Sequence, residues 1–225
     1  MVYTLTMESI KHLIILGPPG SGKGTQAKMI QDKFSFVYFG TGDLMRQEAE
    51  KGSEIGRKFQ AIWDKGQGEL IPDELVDEFV NFKLREIDAQ KSIIFDGYPR
   101  TVDQAENLSR VLNITPDNLY VLNIEVPKDL LVERMQTRKV CQKCGQVFFR
   151  PDEKGIKACD DCGDALLKRQ EDQPETMEKR ILVYQTQTQP LIEYYKSHAT
   201  LINIDGSPSI NLVEAEIEEK LSGVF

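Results

Sequence analysis

A glycine-rich run, Gly17-Pro-Pro-Gly-Ser-Gly-Lys-Gly-Thr25, directly follows the apolar stretch His12-Leu-Ile-Ile-Leu16, and this junction constrains the chain more than any other feature. A short apolar run of this kind predicts a buried strand, and the run after the glycines predicts a helix. Glycines between the two allow successive backbone N–H groups to converge on an anion at the helix N-terminus, where the helix dipole also favours negative charge. Lys23 adds a mobile cation. A plain glycine turn would not require a lysine and a threonine at these spacings, so the junction predicts a polyphosphate cradle and hence a nucleotide-binding protein.

The rest of the chain repeats the alternation of strand and helix. Continuous apolar runs at 13–16, 92–95, 120–126 and 200–204, with a weaker one at 36–39, predict parallel strands buried on both faces. Leu75, Val76, Phe79, Val80, Leu84 and Ile87 recur at helical spacing after Pro72, and similar patterns follow Pro127 and Pro174. Pro190, inside the last of these, is expected to kink or split its helix, and Ser207-Pro208 to cap and begin the final one. The expected fold is α/β: a doubly wound, parallel, five-stranded sheet interrupted at residues 40–71 and 137–172. A formal charge of −8 argues against general affinity for nucleic acid or acidic lipid, so polyanions must be met by locally placed cations. No apolar run approaches a membrane span, and the first hydrophobic stretch is already the strand that feeds the cradle; a cytoplasmic protein is expected.

The second interruption holds all four cysteines, as Cys141-x2-Cys144 and Cys159-x2-Cys162. Two such pairs predict a zinc ribbon in which each pair turns tightly, with Gly145 and Gly163 after the turns. Disulfides are the competing reading, disfavoured where no export signal is seen. A closed four-thiolate site leaves no coordination position for chemistry, so the metal is expected to be structural.

Downstream of residues 92–95 stands Asp96-Gly-Tyr-Pro-Arg100-Thr-x-x-Gln104. An acid at the carboxyl end of a strand beside the cradle suits a magnesium ion held through water, although Asp96 alone could equally be a turn or cap residue. Tyr98-Pro99 is expected to be a cis peptide.

Taken together, the cradle from Gly17 to Thr25, Thr41-Gly-Asp43-x-x-Arg46, Asp96-Gly-x-Pro-Arg100 and the cysteine pairs resemble the adenylate kinases whose lid carries zinc, over about residues 11–206. As in nucleoside monophosphate kinases, Gly24 and then Thr25 follow the cradle lysine, where other P-loops place a hydroxyl at once. The resemblance implies reversible phosphoryl transfer from Mg·ATP to AMP, giving two ADP. It implies a core of residues 1–39, 72–136 and 173–225, an AMP-binding insert at 40–71 and a zinc-bearing lid at 137–172. Gly20, Ser21, Gly22, Lys23, Gly24 and Thr25, with Arg134 and Arg138, would hold ATP. Thr41, Arg46, Leu70, Ile71, Gly97, Arg100, Gln104, Arg169 and Arg180 would hold AMP. Lys23, Arg100, Arg134, Arg138, Arg169 and Arg180 would surround the moving phosphoryl group, whose charge asks for cations and positioning more than for acid–base help. Arg134 and Arg138, four apart, are expected to share one helical face entering the lid. Asp43 is expected either to anchor the insert or to cap a helix, and Asp172 to orient arginines.

Two departures bear on the donor base. Val147-Phe148-Phe149 stands where relatives often carry a hydroxylated aromatic and a histidine, and Asp205-Gly-Ser-Pro208 is one residue short. A monophosphate kinase with broad donor use is therefore the alternative expectation. A nucleotide-gated zinc ribbon contacting nucleic acid is a more distant one, resting on eight Lys or Arg against five Asp or Glu in residues 138–169. A monomer is expected, with oligomers left open.

Overall fold

The computed structural model describes residues 10–65, 71–141, 143–149, 158–168, 172 and 174–225. The expected runs form β1 (His12–Leu16), β2 (Val37–Gly40), β3 (Ile93–Asp96), β4 (Leu119–Glu125) and β8 (Thr200–Asp205), all parallel, in the order β2-β3-β1-β4-β8. Three further strands, β5 (Arg138–Cys141), β6 (Val147–Phe149) and β7 (Leu166–Leu167), make a separate antiparallel sheet in the order β6-β5-β7.

Helices cover both faces of the parallel sheet because its strands are apolar on both. In β1, Leu13 and Ile15 face α1 (Lys23–Lys33) and α9 (Ile210–Leu221), packing with Ala27, Ile30, Val213 and Ile217. Ile14 and Leu16 face the other way. They join Phe79 and Val80 of α4 (Asp73–Leu84), Leu108 of α5 (Val102–Leu112) and Leu191 and Tyr195 of α8 (Pro190–His198). Burying side chains of this size is worth about 2 kcal/mol each, which fixes the register of the central strand.

Between β2 and α4 stand α2 (Thr41–Glu50) and α3 (Glu54–Trp63), packed so closely that a Cβ on Gly56 would collide with the Glu48 carbonyl. Ser53 caps α3 by accepting a hydrogen bond from the Gly56 amide at 3.1 Å. No helix among the described residues is long and apolar enough to cross a membrane.

Two expectations are corrected. The helix α6 (Lys128–Thr137) ends before Arg138, which opens β5, so Arg134 and Arg138 do not share a helical face. The cap of α9 is Ser209, not Ser207: the Ser207 amide donates to Asp205 Oδ1 at 2.9 Å, holding residues 205–207 in a turn and delaying the helix to Ile210. Pro190 splits the helical run in two, as expected. Helix α7 (Pro174–Val183) widens into a π-helical stretch, Tyr184–Thr188, closed by the Gln189 amide on the Tyr184 carbonyl at 2.8 Å, and Pro190 starts α8. The wider turn accommodates a ring that would otherwise press on the carbonyl four residues back.

Candidate active site

At the carboxyl end of β1 the loop from Gly17 reaches Gly22, which caps α1 with φ 91° and has no side chain to satisfy the first helical amides. The first turn carries no acidic residue either. Gly20, Gly22, Lys23, Gly24 and Thr25 all line a cleft of about 1440 Å³. That exceeds the roughly 300–1,000 Å³ typical of a pocket for one small ligand. Ser21 is buried beneath the loop rather than lining the cleft, its hydroxyl without a partner among the described residues.

Lys23 is half-buried in the cleft wall, and desolvation holds its ammonium down at about 8, against an attraction from Asp96 that raises it; Arg100, Arg180 and Arg138 lower it further. Three arginines and one carboxylate thus lie within electrostatic reach of Lys23. Arg138 is itself buried and makes a two-pronged pair with Asp172, from Nε at 2.7 Å to Oδ2 and from Nη2 to Oδ1. Arg180 of α7 reaches the same Oδ1 at 3.2 Å. Asp172, fully buried, therefore orients both arginines, as expected of it. Arg134 lies elsewhere: its Nη2 donates to the Ser207 and Pro208 carbonyls at 3.2 and 3.4 Å and it does not line the cleft. Arg169 lies outside the described residues.

On the opposite side of the cradle, the Arg100 amide donates to Gln104 Oε1 at 2.7 Å and its Nε to the Gly97 carbonyl at 2.9 Å. Gln104 is held in turn by Asp73, at 2.8 Å from Nε2. The Tyr98-Pro99 peptide between them is cis. Arg46 lines the cleft and pairs with Asp43 at 2.6 Å. Since Gly40 caps α2, Asp43 is not its cap. Thr41 is fully buried, its hydroxyl without a partner among the described residues, and Ile71 lines the cleft; Leu70 lies outside the described residues.

Asp96 ends β3 at the mouth of the cradle, where Gly24 has no side chain to obstruct its carboxylate. Its one hydrogen-bond donor among the described residues is the Tyr38 hydroxyl, at 3.0 Å. Tyr38, Lys28 and Trp63 all line the cleft without having been marked by the sequence. Tyr38 and Lys28 belong to patterns that read as sheet and helix periodicity. The single tryptophan at the end of an amphipathic helix was the one signal that could have drawn attention.

The four cysteines converge. Each pair forms the same turn: the Gly145 amide donates to the Cys141 carbonyl at 3.0 Å and the Gly163 amide to the Cys159 carbonyl at 2.9 Å, both glycines with φ near 70° (70° and 74°). Sulfur separations of 3.4 Å (Cys141–Cys162) and 3.6 Å (Cys144–Cys159), with all four within 4.8 Å, approach the edge of about 3.8 Å that tetrahedral Zn–S bonds of about 2.3 Å imply. The donor set suits zinc.

A model of the family described as adenylate kinase matches residues 15–200. Among similar curated proteins, one named adenylate kinase from Alkaliphilus oremlandii is 44% identical over 93% of this chain and 97% of its own. Others of the same name, from Kosmotoga olearia and Archaeoglobus fulgidus, are each 41% identical over 95% of this chain and cover 100% and 99% of their own lengths.

Proposed function

The chain belongs to the adenylate kinase family and is a phosphotransferase, and on that premise we propose that it transfers the terminal phosphoryl group of Mg·ATP to AMP, reversibly, giving two ADP. The observation that carries this reading is the cleft itself, large enough for two nucleotides and lined by Lys23, Arg100, Arg138 and Arg180 together with Asp96.

In this reading ATP lies with its phosphates over Gly20 to Thr25, and Lys23 contacts the outer ones. AMP lies between α2 and the Gly97–Gln104 turn, its phosphate gripped by Arg46 and Arg100 and its base near Thr41, Ile71 and Gln104. Arg138 and Arg180, held in place by Asp172, stabilise charge on the oxygens in flight, and Arg169 joins them. Asp96 would hold magnesium through waters, and the metal would supply positive charge against the phosphates. The insert at 40–71 and the segment at 137–172 close over the two substrates and exclude water, which would otherwise accept the phosphoryl group. Zinc in the cysteine cage is structural. The unpaired thiols fit a reducing, cytoplasmic setting.

The test is ADP formation from ATP with and without AMP. AMP-dependent production of two ADP per ATP supports the reading; ADP release independent of AMP overturns it. A second reading, broad donor use, is favoured by Val147 and Phe149 on the cleft wall, which present no polar base-reading group. Comparable turnover with GTP or a pyrimidine triphosphate at fixed AMP would establish it.

A further inference from the structure

Strand β2 reads Val-Tyr-Phe-Gly, and its last residue, Gly40, pairs across the ladder with Asp96. Side chains alternate along a strand, so residues 38 and 40 share a face, as do 94 and 96 on the neighbouring strand. Tyr38 could therefore reach Asp96 only by passing over position 40. It does so because that position is empty: a Cβ on Gly40 would lie 2.5 Å from the Tyr38 hydroxyl oxygen and 2.6 Å from its ring.

The hydroxyl so placed stands 3.0 Å from Asp96 Oδ2 and 3.3 Å from Asp43 Oδ2. A phenol has one proton to give. Asp43 already has Arg46 at 2.6 Å and Lys28 at 3.8 Å, whereas Asp96 has no other hydrogen-bond donor among the described residues, so the proton goes to Asp96. Lys28 extends the contact, since its ammonium lies 3.5 Å from where a Cβ on Gly145 would be and 5.8 Å over the Tyr38 ring.

We propose that Tyr38 is a positioning residue for the transfer: its hydroxyl holds the Asp96 carboxylate in the orientation that serves the metal-bearing nucleotide, with Gly40 supplying the room. This rests on the phosphotransfer reading above. A carboxylate held by one directed bond presents a fixed oxygen to metal-bound water. A freely rotating one must be ordered at each binding event.

The test compares Tyr38→Phe, Gly40→Ala and Asp96→Asn for Mn²⁺ affinity in the complex with a non-hydrolysable ATP analogue, read from the EPR signal of free Mn²⁺, alongside metal-free analogue affinity and melting. Tyr38→Phe keeps the ring and should weaken Mn²⁺ binding roughly tenfold, raise the Mg²⁺ needed for half-maximal turnover, and leave metal-free analogue binding unchanged. Gly40→Ala keeps the hydroxyl but crowds it, and should shift both metal readouts the same way. Unchanged Mn²⁺ affinity in Tyr38→Phe beside a loss in Asp96→Asn overturns the inference while leaving the phosphotransfer reading standing. Unchanged affinity in Asp96→Asn removes the metal role of Asp96 and the inference with it. Should Tyr38→Phe fail to fold, Gly40→Ala decides, and parental Mn²⁺ affinity there overturns the proposal.

Discussion

A Cβ on residue 24 would stand 2.8 Å from Asp96 Oδ2. The carboxylate at the end of β3 thus fills the space in which another P-loop would carry a hydroxyl side chain, and the missing side chain at Gly24 and the acid at Asp96 are one structural arrangement. Gly24→Ala is expected to displace the carboxylate and lower turnover roughly a hundredfold, in the range of losing one preorganised electrostatic group. Alanine favours a helix over glycine by about 1 kcal/mol, so melting should hold or rise. Steady-state kinetics beside calorimetry checks this, and parental turnover would contradict it.

Arg138→Ala should cost roughly a thousandfold in turnover, the scale found where an arginine meets a transferring phosphoryl group. The buried Asp172 keeps Arg180 as a partner, so folding survives with a modest loss in melting temperature. Single-turnover rates at saturating nucleotide separate this from weakened binding, and near-normal rates would defeat the assignment.

Chelation should release one zinc per chain and disorder the β5–β6–β7 sheet while the five-stranded sheet persists. Among the described residues the core of that small sheet is Cys141, Cys159 and Leu166 with Phe148 and Cys162 packed against them, too slight to stand without its metal. Metal analysis combined with amide exchange reads both events; retained protection around Val140 and Val147 after metal loss would count against a structural role.

Nucleotide binding should take up a proton in mildly alkaline solution. The Lys23 ammonium sits at about 8 in the empty cleft, so it is increasingly neutral above that pH, and a polyphosphate raises it back toward its ordinary 10.5. Affinity should therefore fall as pH rises from about 8 to 10, and Lys23→Met should abolish the uptake. Titration calorimetry at pH 8.5 in buffers of different ionisation enthalpy gives the proton count; a count of zero would contradict the shift.

His12 makes stability sensitive to mild acid. It is buried in β1 as a neutral ring, its Nδ1 accepting from the Ile93 amide at 3.3 Å, and burial lowers it from 6.5 to about 4. The unfolded chain gains the proton first. Stability is full above pH 6.5 and declines between 6.5 and 4 by about 3 kcal/mol. Denaturant melts across that window should flatten in His12→Gln.

The five strands, the cradle and the cysteine turns were legible in the residues because each rests on local pattern: continuous apolar runs, glycines before a lysine, paired thiols. The arginine geometry was not. Arg134 and Arg138 carry helical spacing, yet the helix stops at Thr137, and no cap or breaker residue marks that end. Tyr38 reads as one more apolar strand residue, and only the pairing of Gly40 with Asp96 shows where its hydroxyl goes. Asp172 showed as an acid near arginines; that one carboxylate serves both Arg138 and Arg180 needed the fold.

The π-helical stretch at Tyr184–Thr188 sets angular phase. An extra residue advances a helix by about 100°, so the rod before it turns Met177 and Ile181 onto α6 and Arg180 into the cleft, while the rod after it turns Leu191 and Tyr195 into the main core. Deleting a single residue there would leave two regular helices in which one set of side chains points the wrong way, so the length of this short piece sets the bearing of a guanidinium against the hydrophobic interior.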